Sequence, residues 1–486
     1  MMLSELVPEK KLPVDVEIQG ITDDSRCVRA GDLFCALSGE SFDGRSFVAD
    51  AVNRGAVAVV CEPPAPDTSV PVVAVENLHA RLGNFASRVH GDPSHDVEVI
   101  AVTGTNGKTS FTHLLAQALT VVGLPTGLIG TMGYGKPESL KEPGLTTPAA
   151  VDLQYKVKQL ISDECLAIVL EASSHGLAQG RLNGLAVDTA VLTNLTLDHL
   201  DYHATLEDYR AAKQRLFEKS SLRNAVLNLD DEFGRDLAPR LGSWLNVVTY
   251  SRTDSVATVH CRSVDFGPDG LSLQLIVNTD RVGVELPLFG EFNVENVLAV
   301  AAAMLAMGYL VADIELVLNR LKPVAGRMDI VSRADKPCVI VDYAHTPDAL
   351  QKALQAVRQH FPGKKLNCVF GCGGDRDKSK RAMMGEIAER LADEVILTSD
   401  NPRSEDPSDI LAEIEKGMTT QGLSIVDRRD AILHAIGAAS EEDVVLVAGK
   451  GHEDYQLLPE GRVPFSDYKV IADGLETWIP EDGKGE

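Results

Sequence analysis

The stretch that decides the fold is Val99-Ile-Ala-Val-Thr-Gly-Thr-Asn-Gly-Lys-Thr-Ser110. Its apolar, β-branched beginning predicts a buried strand, which leads into a glycine loop with Lys108 and Thr109 at the start of a helix. The loop glycines let backbone N–H groups face an anion, and the helix N-terminus adds positive potential. The pattern predicts a nucleoside triphosphate site in which Lys108 contacts phosphates and Thr109 binds Mg²⁺. Val102 stands where the usual GxxxxGK[ST] pattern has glycine, so a plain strand-to-helix turn is the alternative.

Length, charge and cysteine content limit the class of protein. A chain of 486 residues is too long for a single core, and about 150 residues per domain predicts three domains. The 71 acidic and 46 basic residues give a net charge of −25, which argues against nucleic acid or an anionic membrane as main partner. Eight scattered cysteines without a CxxC pair indicate neither a disulfide framework nor a zinc site. We therefore expect a soluble protein of the reducing cytoplasm.

Apolar segments are short throughout the chain. The amino-terminal residues contain no apolar segment of signal-peptide length. The longest apolar run, residues 298–312, is too short to cross a bilayer. We predict that this run forms a buried helix.

Alternating strands and helices predict an α/β fold in three domains. Residues 1–95 form a small α/β domain, and residues 96–325 carry the phosphate loop on a mostly parallel sheet. Strands and helices alternate again in residues 326–486, which predicts a Rossmann-like sheet with functional loops at the carboxyl ends of its strands. The strands predicted for the two larger sheets are residues 99–103, 166–170, 190–193, 225–229, 338–341, 366–370, 394–398 and 444–447.

Two polar segments follow strands of the central domain. Glu171 and the pair Asp198 and His199 are expected at the same sheet edge as Thr109. Mg²⁺ prefers oxygen ligands, so Glu171 is a natural ligand beside phosphate, although a strand-end carboxylate satisfied by the backbone is the alternative. His199 alone indicates a structural role, and His199 with His203 lacks the HExxH context of a zinc site.

Three polar loops follow strands of the last domain. A glycine-rich loop at residues 371–378 contains Arg376, the loop Asp400-Asn-Pro-Arg403 follows the next strand, and Gly449-Lys-Gly-His-Glu453 is the third. Each loop alone is more typical of a structural turn. Together they offer arginine, amide and carboxylate groups at one sheet edge, which predicts a site for a zwitterionic amino acid.

These motifs resemble, in content and order, those of the Mur ligases of peptidoglycan synthesis. Besides the loop Gly104–Thr109, the resemblance includes Glu171-Ala-Ser-Ser-His175, Leu197-Asp-His199, Gly290-Glu-Phe-Asn293 with Asn296, Gly326-Arg-Met328, Asp342-Tyr-Ala-His-Thr-Pro347 and Asp400-Asn-Pro-Arg403. The match covers nearly the whole chain, and the family uses this shorter glycine spacing. Within the family, the chain is similar to the members that add the third residue of the stem peptide.

The resemblance implies ATP and Mg²⁺ as cofactors and assigns site residues. The nucleotide would be bound by Gly104, Thr105, Asn106, Gly107, Lys108, Thr109, Ser110, Asn293, Arg327 and His345. The metal positions would be Thr109, Glu171, His199 and Lys213, and the catalytic residues Lys108, Lys213 and His199. The substrates would be bound by Ser25, Thr146, Thr147, Ser173, Gln179, Arg181, Arg376, Asp400, Asn401, Arg403, Gly449 and Glu453. Lys213 matches a family lysine that becomes N-carbamylated, whereas the residues alone predict a solvent-exposed lysine on a helix.

The reaction implied is ATP-dependent amide formation through an acyl phosphate. The partners would be the substrates UDP-N-acetylmuramoyl-L-alanyl-D-glutamate and meso-2,6-diaminopimelate. The protein would act as a monomer with a hinge near residues 325–327. The three domains would bind the UDP-sugar (1–95), ATP (96–325) and the amino acid (326–486). A folylpolyglutamate synthetase has a related loop and the same chemistry but leaves the first domain and the Asn-Pro-Arg loop unexplained. A non-catalytic P-loop binding protein is the other alternative.

Overall fold

The computed structural model describes residues 1–10, 12, 14–39, 43–141, 144–196, 202–331, 335–420 and 422–480. It contains two compact units. The first unit comprises Met1–His260 and Leu298–Ile314, and the second comprises Cys261–Val297 and Glu315–Glu486. Among the described residues, no helix is both long enough and apolar enough to cross a membrane.

The first unit begins with a small parallel sheet. Its strands are β1 (Gly20–Thr22), β2 (Asp32–Ala36), β3 (Ala58–Cys61) and β4 (Val72–Ala74), in that spatial order, with helices α1 (Leu3–Leu6), α2 (Val48–Asn53) and α3 (Leu78–Val89). Along β2, Leu33 and Cys35 enter one core cluster while Phe34 and Ala36 enter another. The strand is therefore buried on both faces, which explains its continuously apolar sequence.

The larger sheet of the first unit carries the phosphate loop. Its strands are β5 (Glu98–Thr103), β6 (Thr126–Gly130), β7 (Gly133–Gly135), β8 (Ala167–Glu171), β9 (Thr189–Leu192), β10 (Asn224–Asn228) and β11 (Asn246–Ser251). Its helices are α4 (Lys108–Val121), α5 (Ala150–Ser162), α6 (Ser174–Ala178), α7 (Leu206–Gln214) and α8 (Glu232–Leu241). The spatial order is β11-β10-β9-β5-β8-β6-β7, parallel except for β6 with β7. Because β5 lies between β8 and β9, the loops after these three strands meet at one edge.

The chain passes from the first unit to the second within β12 (Val259–Gly267). Strands β13 (Gly270–Val277) and β14 (Asp280–Leu286) follow as an antiparallel hairpin. Helices α9 (Glu291–Ala306) and α10 (Val311–Leu318) come next. The prediction of one helix over residues 298–312 is therefore wrong in extent. Gly308, at a φ of +90°, lets the chain turn between the two helices.

The second unit contains the Rossmann-like sheet. Its strands are β15 (Asp329–Val331), β16 (Cys338–Asp342), β17 (Leu366–Phe370), β18 (Glu394–Leu397), β19 (Leu423–Ser424) and β20 (Val444–Ala448), followed by a hairpin of β21 (Tyr455–Leu458) and β22 (Gly461–Pro464). Its helices are α11 (Pro347–His360), α12 (Ser379–Leu391), α13 (Pro407–Glu415), α14 (Arg428–Ala438) and α15 (Asp467–Thr477). The order is β15-β16-β20-β17-β18-β19, parallel except for β15 with β16. The three predicted amino-acid loops follow β17, β18 and β20, which are neighbours.

Candidate active site

The phosphate loop joins β5 to α4 through two glycines with positive φ. Gly104 has a φ of +155°, and a Cβ there would lie 1.8 Å from the Thr193 hydroxyl oxygen. Gly107 has a φ of +85° and precedes the first helical residue. The backbone N–H of Thr105 donates to the Asn194 carbonyl over 2.8 Å, which fixes the loop against the segment after β9. The loop is thus a preformed turn at a helix N-terminus, the geometry that binds phosphate.

Two ammonium groups approach this loop. Lys108 Nζ donates to the carbonyls of Gly104 and Thr105, both over 2.8 Å. Lys213 Nζ, from α7, donates to the same Gly104 oxygen over 2.8 Å. Lys213 is 1% exposed, so the prediction of a solvent-exposed lysine is wrong. The physical reason is that α7 packs this face over the loop, where the buried Tyr209 hydroxyl also lies 3.1 Å from the Thr105 hydroxyl.

Several side-chain oxygen atoms lie close together around Glu171 at the end of β8. Its Oε1 accepts from the Thr109 hydroxyl over 3.0 Å and from the Thr131 N–H over 2.9 Å, and its Oε2 accepts from the Thr131 hydroxyl over 3.1 Å. Thr146 lies 3.1 Å away from that hydroxyl. A Cβ on Gly130 would lie 2.3 Å from Glu171 Oε1, so glycine is needed there. Mg²⁺ prefers oxygen atoms such as those of carboxylates and hydroxyls as ligands, and these residues fit such an ion.

A polar cluster follows directly after Glu171. The Thr147 hydroxyl donates to the Glu171 carbonyl over 2.7 Å and contacts the Ser173 hydroxyl at 2.9 Å. Arg181 donates to the Thr147 carbonyl over 2.7 Å and to Gln179 Oε1 over 2.6 and 2.9 Å. The structure therefore brings these predicted substrate residues together with Thr146. Ser25 lies apart in the turn Ser25–Cys27, and in the described chain no hydrogen bond joins it to this cluster.

The remaining predicted nucleotide residues lie in the second unit. Asn293 and Asn296 are buried in the first turns of α9, where Asn296 Nδ2 donates to Asn293 Oδ1 over 2.9 Å. The Arg327 guanidinium lies 4.7 Å from the centre of the Tyr343 ring, and the His345 ring packs edge-on against the same ring at 4.8 Å. Tyr343 thus contacts both residues; the motif Asp342–Pro347 contains it, but no role for it was predicted from the sequence.

The three polar loops of the second unit meet as predicted. Arg403, half-buried, donates through Nη1 to the carbonyls of Gly374 and Asn401 over 2.8 and 3.3 Å. Its Nε and Nη2 have no hydrogen-bond partner in the part of the chain that the structure describes. Asn401 Nδ2 donates to Glu453 Oε2 over 2.9 Å, so the loops after β18 and β20 are in direct contact. Arg403 therefore offers two N–H groups to a carboxylate at this edge.

Other predicted residues of this edge have distinct positions. A Cβ on Gly449 would lie 2.6 Å from Asp400 Oδ2, an atom that is buried and has no hydrogen-bond partner among the described residues. Arg376 is exposed in the loop after β17.

Three predicted residues of the first unit complete the set. Asp198 and His199 lie outside the described residues. Ser110 is buried in the first turn of α4.

Three regions of the chain match models of Mur ligase domains. Residues 17–90 match the model described as Mur ligase family, catalytic domain, residues 102–304 the Mur ligase middle domain, and residues 326–451 the Mur ligase, glutamate ligase domain. The chain belongs to the Mur ligase family.

Individual relatives agree with the family match over the whole chain. A relative from Pseudomonas syringae pv. tomato, named UDP-N-acetylmuramoyl-L-alanyl-D-glutamate–2,6-diaminopimelate ligase, is 47% identical over 474 residues, 96% of this chain and 97% of the relative. A Pseudomonas aeruginosa protein of the same name is 46% identical over 484 residues, 98% and 99% of the two chains. A solved structure of a ligase with that name has 36% identity and a TM-score of 0.74, covering 98% of this chain and 99% of that one.

A more distant structure shares the fold alone. Folylpolyglutamate synthase from Mycobacterium tuberculosis, complexed with ADP and AMPPCP, has 18% identity and a TM-score of 0.63 over 76% of this chain and 92% of its own. The predictions of an α/β fold in three Mur ligase domains and of an ATP-dependent, ADP-forming ligase are confirmed.

Proposed function

We propose that this ligase joins meso-2,6-diaminopimelate to the D-glutamyl γ-carboxylate of UDP-N-acetylmuramoyl-L-alanyl-D-glutamate in cytoplasmic synthesis of the peptidoglycan precursor. The observation that carries the choice of amino acid is the meeting of Asn401, Arg403 and Glu453 at neighbouring strand ends. A guanidinium and a carboxylate at one edge suit the distal carboxylate and ammonium of diaminopimelate. The names of relatives 46% and 47% identical to this chain support the same substrates.

ATP would be held by the loop Gly104–Thr109 and Ser110. The backbone N–H groups of this loop and the helix dipole of α4 supply positive potential. Lys108 already lies over the loop, so its ammonium needs only to exchange carbonyl partners for phosphate oxygens. We assign Asn293, Arg327 and His345 to the nucleotide on the strength of the family motifs.

Mg²⁺ would be held by Thr109 and Glu171, whose oxygens already lie 3.0 Å apart. Family resemblance adds His199 and carbamylated Lys213 to this set. Bound there, Mg²⁺ would offset the charge of the phosphates. Carbamylation is supported by the shared carbonyl of Gly104, because two ammonium groups bound to one oxygen repel each other and carbamylation removes one of the positive charges.

The residues act mainly by positioning and electrostatics. A γ-carboxylate oxygen attacks the γ-phosphorus in line, the bond to the β,γ-bridging oxygen breaks, and ADP leaves. Lys108 stabilises the charge on the transferring phosphoryl group. The amine of the incoming amino acid then attacks the acyl carbon, and inorganic phosphate leaves as the amide forms. The amine proton is lost in this second step.

The UDP-sugar side would be bound by the first domain and the cluster beside Glu171. We assign this role to Ser25, Thr146, Thr147, Ser173, Gln179 and Arg181. Amino-acid binding falls to Arg376, Asp400, Asn401, Arg403, Gly449 and Glu453. The corresponding domain bounds are 1–95, 96–325 and 326–486, with a monomer as the acting species.

A coupled assay of ADP release tests this function. ATP, UDP-N-acetylmuramoyl-L-alanyl-D-glutamate and one amino acid at a time are supplied, with meso-diaminopimelate, L-lysine and L-glutamate in separate arms. We expect rapid ADP release only with meso-diaminopimelate, and its loss in Lys108→Ala. Turnover with a folate and L-glutamate instead would favour the folylpolyglutamate alternative. ADP release independent of both acceptor and amino acid would contradict a ligase.

A further inference from the structure

A fully buried ammonium lies beside Glu453 in the amino-acid site. Lys450 is 0% exposed, and its Nζ lies 2.8 Å from Glu453 Oε2. The same nitrogen donates to Asn401 Oδ1 over 3.2 Å and lies 5.4 Å from the centre of the Tyr455 ring. Burying an ammonium is costly unless it is paired and hydrogen-bonded, and both conditions are met here. The residue is thus built into the site rather than placed on its surface.

Asn401 connects this ion pair to the neighbouring loop. Its Nδ2 donates to Glu453 Oε2 over 2.9 Å, while its Oδ1 accepts from Lys450 and from the Leu457 N–H over 2.9 Å. Glu453 Oε2 therefore accepts from both an ammonium and an amide. Oε1 accepts one long hydrogen bond, from the Tyr343 hydroxyl over 3.5 Å. Of the two carboxylate oxygens, Oε1 is the less strongly bonded one and has the capacity to accept from a ligand ammonium.

We propose that Lys450 is a positioning residue that sets amino-acid specificity by holding Glu453. Lys450 fixes Oε2, so that Oε1 is presented to the distal ammonium of the incoming amino acid. The proposal rests on the proposed function, since it takes Glu453 as the group that binds this ammonium. The nearby Asp400 supports a cationic ligand, because its buried Oδ2 has no hydrogen-bond partner among the described residues.

The test compares two amino acids that differ only in the distal ammonium. meso-Diaminopimelate carries this group, and (S)-2-aminopimelate keeps the distal carboxylate but lacks it. In the full-length protein, Lys450→Met should lower the preference for diaminopimelate in kcat/KM by about 10- to 100-fold, the range of a charge-assisted hydrogen bond. The KM for ATP should not change, and kcat/KM should fall less for aminopimelate than for diaminopimelate. Lys352→Met is the matched control, because Lys352 is a partly exposed lysine with a carboxylate partner, Asp348, at 2.8 Å.

A second comparison keeps the proposal testable if Lys450→Met does not fold. The double variant Lys450→Met/Glu453→Gln removes both charges of the pair, which proteins tolerate better than an unpaired buried charge. It is compared with Glu453→Gln alone. We expect the double variant to show the same amino-acid preference as Glu453→Gln alone. A further loss of preference in the double variant, or a wild-type preference in folded Lys450→Met, would overturn the proposal. Failure of the proposed function differs, because the unaltered protein would then not turn over meso-diaminopimelate.

Discussion

The substitution Arg403→Ala tests how the site chooses its amino acid. L-Lysine matches meso-diaminopimelate except for the distal carboxylate. Arg403 has N–H groups on Nε and Nη2 that make no hydrogen bond to a described residue, and it is held in place by the Gly374 and Asn401 carbonyls. We expect these N–H groups to bind the distal carboxylate through two parallel hydrogen bonds. Alanine should therefore weaken diaminopimelate and leave lysine nearly unaffected.

The size of the effect follows from the burial of the pair. Truncating one member of a buried, hydrogen-bonded charge pair costs about 2–5 kcal/mol. Arg403 is only half-buried, so solvent screening places its contribution at the lower end, about 2–3 kcal/mol. At 1.4 kcal/mol per tenfold, this corresponds to a loss of about 30- to 150-fold in kcat/KM for diaminopimelate.

The assay measures ADP release with each amino acid for the unaltered protein and for Arg403→Ala. The assay with L-lysine controls for any loosening of the loop, because Arg403 also holds this loop through its hydrogen bonds to backbone carbonyls. Arg429→Ala is the matched control, since Arg429 is an exposed arginine paired with Asp473 at 2.9 Å. Equal turnover of the two amino acids by the unaltered protein would refute the reasoning, as would an equal loss for both amino acids in the variant.

Three further predictions concern other parts of the molecule. Lys213→Ala should lose most activity at nearly unchanged stability, and added short carboxylic acids should restore part of it; full activity would exclude carbamylation as a requirement. Gly104→Ala should abolish ADP binding in a calorimetric titration, because its Cβ would lie 1.8 Å from a hydroxyl oxygen, whereas Gly123→Ala, with no atom within 4 Å, should bind normally. His360 Nε2 accepts from the Gly290 N–H over 2.9 Å, and burial lowers the pKa of His360. The contribution of neutral His360 to the free energy of unfolding should therefore be complete above pH 6.5. Below pH 6.5 the free energy of unfolding should fall by up to about 1.4 kcal/mol per pH unit. Urea unfolding at several pH values should show a flatter dependence in His360→Gln, and an unchanged dependence would contradict this role.

The phosphate loop was predictable because its information is contiguous. A buried strand, two glycines, Lys108 and the start of α4 stand within a dozen residues, and each has a local physical meaning. Eight strands of the two larger sheets, β5, β8, β9, β10, β16, β17, β18 and β20, were likewise predictable, because parallel strands buried on both faces read as apolar runs. The strands β6, β7, β11, β15 and β19 were not predicted. The prediction that polar loops after β17, β18 and β20 would meet also followed from this topology, since parallel strands end at the same edge.

Other features depend on contacts between distant segments. Lys213 lies in a helix whose sequence indicates a polar face, and only the packing of α7 against the phosphate loop buries it. Thr131 reaches Glu171 because β6 pairs with β8, a neighbour relation that no local pattern encodes. The role of Lys450 could not be predicted from the sequence for the same reason, since its partners come from two loops. The break near Gly308 was missed because the apolar run continues through it.

The most direct test follows oxygen from the D-glutamyl γ-carboxylate. UDP-N-acetylmuramoyl-L-alanyl-D-glutamate labelled with ¹⁸O in that carboxylate is incubated with ATP, Mg²⁺ and meso-diaminopimelate, and the phosphate and nucleotide products are analysed by mass spectrometry. Because the carboxylate attacks phosphorus, one labelled oxygen should leave in inorganic phosphate and the other should remain in the amide product. Unlabelled phosphate, or amide formation with a different amino acid in preference to diaminopimelate, would contradict the account.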